Sequence, residues 1–280
     1  MKNDLIIRTM TRKEVDMAVD WAAAEGWNPG IHDADCFWRA DTNGFVGGWL
    51  GDEQVAAISV VRYGSSFGFL GFYIVRPDCR GKGYGLQVWN AGLERLDGRT
   101  VGLDGVIARQ ENYRKSGFSL AWNNARYEGK GGGETAPGVI PVGSVPKTEL
   151  YGYDRQFFAE AREAFLECWI SRPGTQSHCV MNGGRLAGYG VARPCRNGYK
   201  IGPLFADTPE IADDLFVSLK AGVPETESFF LDIPMANIEA VALVDRHGMH
   251  PVFETARMYR GEAPEIGLPR TYGITSFELG

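Results

Sequence analysis

The run Arg80-Gly81-Lys82-Gly83-Tyr84-Gly85 constrains this chain most, because it sets three glycines at alternate positions between two contrasting apolar stretches. Before it, Phe69-Leu70-Gly71-Phe72-Tyr73-Ile74-Val75 is aromatic and β-branched, the composition of a strand. After it, Leu86, Trp89 and Leu93 share one face at helical spacing. The glycines therefore fall in a strand-to-helix turn. A helix N-terminus presents unpaired N–H groups and partial positive charge, which attract phosphate. Glycine permits positive φ and leaves no Cβ between backbone and ligand. Arg80 and Lys82 add charge at the same place. An ordinary glycine-rich turn would carry the same residues. The run also lacks the Gly-Lys-Ser/Thr ending of a nucleoside-triphosphate loop, and Arg80 stands where a dinucleotide fingerprint begins with glycine.

Taken in order, Leu5-Ile6-Ile7-Arg8 reads as a first strand. Thr11 and Glu14 form a capping-box pattern for a helix with Val15, Ala18, Val19 and Ala22 inward, ending near Gly26. A second helix is expected over 33–40. A meander follows over 44–50 and 55–62, and leads into the strand before the glycines. A strand over 99–104, a short helix over 110–116 stopped at Gly117, and a strand over 118–128 complete the first half. Residues 129–149, with Gly131-Gly132-Gly133 and little apolar periodicity, read as a linker.

The second half repeats the first weakly. Gln54 to Arg62 resembles Arg185 to Arg193, Val101-Gly102-Leu103-Asp104 parallels Phe229-Phe230-Leu231-Asp232, and Tyr113 to Phe118 parallels Val244 to Met249. The helix entry at Ala206-Asp207-Thr208-Pro209-Glu210 differs, having no glycine and two carboxylates. Those suit a helix N-terminus but repel a pyrophosphate, so the second half reads as free of cofactor.

Arg-x-x-Gly-x-Gly after a strand ending Val-x-Pro resembles the acetyl-CoA loop of the GCN5-related N-acetyltransferase (GNAT) superfamily. The Tyr113-x-x-x-Gly117-Phe118 pattern resembles a second motif of that family. The match covers about residues 3–128. With the tail Tyr272 to Gly280, the whole chain resembles bacterial tandem-GNAT acetyltransferases whose second domain is degenerate. The resemblance implies an α/β (α+β) fold of two GNAT-like domains, each a mixed, mostly antiparallel sheet flanked by helices. Residues 1–128 would be the catalytic domain and 150–280 the degenerate one.

It also implies acetyl-CoA as cosubstrate and an amine as acceptor. Arg80, Gly81, Lys82, Gly83, Tyr84 and Gly85 would wrap the pyrophosphate, while the backbone of Ile74 and Val75 would bind the pantetheine amide and stabilise an oxyanion. Tyr113 would be the general acid, as a phenol stays protonated at neutral pH; a packed aromatic closing a short helix is the alternative. Val106 stands where the family often has asparagine, seven positions before the tyrosine. Asp104 is a candidate base at its strand end, or else a turn or capping carboxylate before Gly105. Glu25, Asp33 and Asp35 lie in the segment that lines acceptor pockets in the family. Trp21, Trp27, Phe37 and Trp38 form core or part of that wall.

A net charge of −6 argues against a nucleic-acid partner. Met1-Lys2-Asn3-Asp4 leads into only three apolar residues, so no signal peptide is expected, and no apolar stretch is long enough to span a bilayer. Five scattered cysteines suggest neither a disulfide framework nor a Cys-x-x-Cys pair, and the four histidines lack metal spacing. The expectation is a cytoplasmic, metal-free N-acetyltransferase acting on a primary amine of a small molecule. A protein lysine or N-terminal acetyltransferase and a non-catalytic acetyl-CoA sensor are the alternatives, and an oligomer is compatible with the sequence.

Overall fold

The computed structural model describes residues 4–280, so Met1-Lys2-Asn3, part of the stretch read for a signal peptide, lies outside the described residues. The first half comprises β1 (Ile6–Thr9), α1 (Arg12–Ala24), α2 (Asp33–Ala40), β2 (Phe45–Leu50), β3 (Glu53–Tyr63), β4 (Phe67–Val75), α3 (Tyr84–Glu94), β5 (Thr100–Val106), α4 (Gln110–Lys115) and β6 (Ser119–Lys130). The second comprises β7 (Val139–Pro141), α5 (Lys147–Asp154), α6 (Glu163–Ser171), β8 (Gln176–Asn182), β9 (Arg185–Pro194), β10 (Tyr199–Ala206), α7 (Pro209–Ala221), β11 (Ser228–Pro234), α8 (Ile238–Arg246), β12 (His250–Arg260) and β13 (Thr271–Gly273). The capping box at α1 forms: the Thr11 hydroxyl accepts from the Glu14 N–H, and the Glu14 carboxylate accepts from the Thr11 N–H at 2.6 Å.

All strands belong to one sheet, in the order β1-β2-β3-β4-β5-β12-β6-β11-β10-β9-β8-β7, with β13 added on β10. This order is its own mirror image when each first-half strand is exchanged for its second-half counterpart. The last strand of each half has crossed over: β12 lies between β5 and β6, and β6 between β12 and β11. Dividing the chain at 128 therefore does not divide the sheet.

Matching ion pairs lock the exchange. Arg257 on β12 grips Asp104 on β5 through Nε at 2.7 Å and Nη2 at 2.6 Å. Arg126 on β6 grips Asp232 on β11 through Nε at 2.6 Å and Nη2 at 2.8 Å. All four side chains are nearly inaccessible. Burying such charges is costly in itself, but removing one partner from a buried pair costs about 3–5 kcal/mol, so both pairs specify which strand lies beside which.

Four expectations change. The linker is structured, since 129–130 continue β6, β7 pairs with β8, and α5 begins at Lys147. β5 continues through Gly105 to Val106, so Asp104 is a mid-strand residue and not a turn carboxylate. The inward face of α3 is Val88, Trp89 and Gly92, and Leu86 is 63% exposed. Cys36 on α2 and Cys168 on α6 are joined by a disulfide between the two halves, where scattered cysteines implied none. Both cysteines lie in a buried aromatic cluster that contains Phe37 and Trp169, stacked at 6.0 Å.

Candidate active site

β4 and β5 pair in parallel from Phe67 and Thr100 to Leu70 and Leu103, then part. At the parting β4 carries a bulge, with Gly71 opposite Ser59 of β3 and Ile74 opposite Ala57. Phe72 within it has φ 46°, a conformation that strains a bulky residue by about 1–3 kcal/mol. Packing holds it there: its ring meets Phe37 edge-on at 5.5 Å and Phe45 at 6.0 Å. Past the bulge, Gly71 to Val75 line one wall of a cleft of about 500 Å³, and Leu103 to Val106 line the opposite wall. Among the described residues the β5-facing edge of Ile74 and Val75 thus has no strand partner, although backbone N–H and C=O groups require hydrogen bonds.

The glycine loop closes one end of this cleft. Gly81 and Gly83 have φ of 75° and 83°, and a Cβ on either would meet nothing within 4 Å, so the loop backbone is bare to an approaching ligand. Gly83 caps α3, which begins at Tyr84, and Lys82 is exposed beside it. Gly85 has another role, since a Cβ there would lie 2.6 Å from the Tyr73 hydroxyl and 2.9 Å from Val75 Cγ2. Its absence lets α3 close onto β4. Arg80 is already engaged, donating from Nε to the Val75 carbonyl at 2.9 Å and pairing with Glu25 at the end of α1. It braces the loop against β4 and lines the cleft.

Tyr113 stands on the opposite wall. Its ring stacks on Trp89 at 5.6 Å, and a Cβ on Gly105 would lie 2.2 Å from Cε2, so glycine in β5 makes room for the phenol. Tyr73 meets Trp89 edge-on at 5.1 Å. Burial pushes the Tyr113 hydroxyl up to about 12. A phenol so held stays protonated at neutral pH and has a proton to offer.

Asp104 is not a free base, because Arg257 occupies both carboxylate oxygens and Asn124 donates to Oδ1 at 2.7 Å. Its part is to hold the two exchanged strands beside the cleft. Asp33 is fully buried between Arg172 and Arg193, and Asp35 pairs with Arg12 away from the cleft. Glu25 and Trp27 do line it, as does Asn112. Contributions that the sequence reading missed come from across the strand exchange and from the tail: Arg126, Phe253, Thr255, Phe277 and Glu278.

The second half provides an internal comparison. Ile201 pairs with Leu231 where Leu70 pairs with Leu103, so Gly202 corresponds to Gly71, Leu204 to Tyr73 and Phe205 to Ile74. There β13 fills the parting, with Leu204 opposite Gly273 and Phe205 opposite Thr271. The tail then passes both corresponding glycines. A Cβ on Gly202 would lie 2.6 Å from the Ile274 carbonyl oxygen, and one on Gly71 would lie 2.2 Å from that of Glu278. The second cleft is plugged by the chain itself, and the first is open.

Comparison with known proteins agrees with this architecture. Residues 12–118 match the acetyltransferase (GNAT) family model, and residues 150–273 match an acetyltransferase (GNAT) domain model. The holothin acyltransferase of Pseudoalteromonas sp. (strain SANK 73390) is 33% identical over 270 residues, 96% of this chain and 92% of that protein. A putative acetyltransferase from Pyrococcus horikoshii superposes with a TM-score of 0.84 at 24% identity, covering 99% of this chain and 96% of that one. A tandem GNAT protein from the clavulanic acid biosynthesis pathway superposes with a TM-score of 0.63 at 13% identity over 93% of this chain and 100% of its own.

Proposed function

This chain belongs to the GNAT acyltransferase family as a tandem-GNAT enzyme, and from that premise we propose that it transfers an acetyl group from acetyl-CoA to a primary amine of a small molecule, by direct attack in a ternary complex. The observation that carries the proposal is the parted β4–β5 pair, with an unpartnered strand edge at Ile74 and Val75 between a bare glycine loop and Tyr113. The pantetheine amides of acetyl-CoA, laid along that edge, complete the strand's hydrogen bonding, with the diphosphate at Gly81, Gly83 and the start of α3. The neutral amine attacks the thioester carbonyl carbon and forms the C–N bond. Free β4 N–H groups stabilise the oxyanion, and collapse breaks the C–S bond. Tyr113 donates to the departing thiolate.

An acceptor of small size fits a cleft of about 500 Å³ walled by Trp27, Phe72 and Phe277. The named activity of the holothin acyltransferase supports acyl transfer as the reaction. A cytoplasmic location is part of this proposal. Disulfides are rare in that compartment, which makes the oxidation state of Cys36 and Cys168 informative. The test is Tyr113→Phe, which should lower the turnover rate by roughly 10²-fold and leave acetyl-CoA affinity within about twofold. Equal rates for variant and parent would remove Tyr113 from the mechanism.

A further inference from the structure

Three carboxylates line the cleft, and two are already engaged, Glu25 by Arg80 and Asp104 by Arg257. The third, Glu278, is 3% exposed, and among the described residues its buried Oε2 has no hydrogen-bond partner. A bare buried carboxylate oxygen is costly, so its retention calls for a physical reason. The tail that carries Glu278 crosses β4 at Gly71, three residues from Ile74, on the order of 10 Å along a strand. Glu278 therefore lies toward the Gly71 end of the cleft, away from the glycine loop. The surrounding walls are flat and apolar: Trp27, Phe72, Phe253 and Phe277.

Nearby cations do not claim Glu278. Arg126 is held by Asp232 and Arg193 by Asp33, while the Lys200 ammonium faces the Trp27 carbonyl at 3.5 Å. Among the described residues no ion pair joins any of them to Glu278.

We propose that Glu278 is the acceptor-binding carboxylate and general base, delivered into the first-half active site by the tail of the second half, and that the acceptor is a primary amine on a flat aromatic body. The inference rests on the acetyl-transfer reading. An ammonium enters between the aromatic walls and gives one proton to Glu278, directly or through one water, becoming a neutral amine. Its lone pair forms the C–N bond at the thioester carbonyl carbon. As the C–S bond breaks, the nitrogen's second proton passes to sulfur to give the free thiol beside Tyr113, and Glu278 returns its proton to solvent. The second half then has a catalytic purpose even though its own cleft is plugged.

The experiment compares parent, Glu278→Gln and Glu278→Asp with benzylamine, phenethylamine and tryptamine as acceptors, following thiol release from acetyl-CoA. Acetyl-CoA affinity and the melting temperature are measured in parallel. The parent should acylate at least one of these amines. Glu278→Gln should lose about 10²- to 10³-fold in kcat/KM with acetyl-CoA affinity within twofold, and Glu278→Asp should recover part of that loss. Parental kcat/KM in Glu278→Gln would overturn the proposal. So would Glu278→Gln losing acetyl-CoA binding and melting temperature together with turnover, the mark of a purely structural counter-charge. If the parent acylates none of the three amines, the acceptor class is wrong. Acetyl-CoA binding in that same sample then decides separately whether the acetyl-transfer reading stands.

Discussion

Gly105→Ala should disable the enzyme through Tyr113 while leaving cofactor binding nearly intact. A Cβ at residue 105 would lie 2.2, 2.8 and 3.0 Å from three ring carbons of Tyr113. Carbon atoms rest no closer than about 3.5 Å, so the ring must withdraw by at least about 1.3 Å, the difference from 2.2 Å. Trp89, stacked 5.6 Å away and anchored by its Nε1–H on the Ser116 hydroxyl at 3.1 Å, blocks simple retreat, and the phenol swings aside. Overpacking of this kind costs about 1–3 kcal/mol of stability, and a misplacement of about 1 Å costs roughly 10²-fold in rate. The assay is thiol release at saturating acetyl-CoA, repeated in the Tyr113→Phe background. Because both changes act on one hydroxyl, the double variant should fall no more than about threefold below Tyr113→Phe alone. A parental rate in Gly105→Ala, or a further loss of roughly 10²-fold in the double variant, would refute this reasoning.

Asp232→Asn leaves Arg126 buried without its counter-charge and should lower stability to urea by about 3–5 kcal/mol; a loss under about 1 kcal/mol would mean the pair does not hold the exchanged strand. Glu14 is held down to about 2, first by its bond to Arg8, against an ordinary value of 4.5. Its contribution should be present above pH 4.5, fade as pH falls toward 2, and vanish from the acid-unfolding curve of Glu14→Gln. Closing a segment of 132 residues, the Cys36–Cys168 bond should contribute up to about 5 kcal/mol. A reductant should lower the urea midpoint accordingly, and alkylation of the unfolded, unreduced protein should label Cys79, Cys179 and Cys195 alone.

Local chemistry was legible in the chain. The Thr11–Glu14 cap, the glycine turn into α3 and the Tyr113 segment each depend on neighbours within a few positions, and each stands where spacing put it. The missing glycines of the second half were legible, but β13 lying along Leu204 and Phe205 was not. Features that join distant segments were not legible. Nothing in the spacing of Asp104 and Arg257, or of Cys36 and Cys168, shows that they meet. One signal did exist: Asn124-Ala125-Arg126 and Thr255-Ala256-Arg257 close the two halves, and Leu103-Asp104 and Leu231-Asp232 precede them. Paired as a repeat, these segments allow either a local or an exchanged partnership, and hydrophobic periodicity cannot choose between them. Glu278 was hidden for a similar reason, since a charged residue near the end of a tail reads as solvated until the tail is seen to cross Gly71.

The most direct test of the account is a calorimetric titration of the full chain with acetyl-CoA, read for stoichiometry. One site per chain is predicted, because the β4–β5 parting is open and β13 fills its counterpart. Replacing Gly83 and Gly85 with bulkier residues should abolish that site, as Gly83 holds φ at 83° and Gly85 has Tyr73 within 2.6 Å of its missing Cβ. Two sites per chain would contradict the plugged second cleft, and a folded protein that binds none would contradict the active site itself.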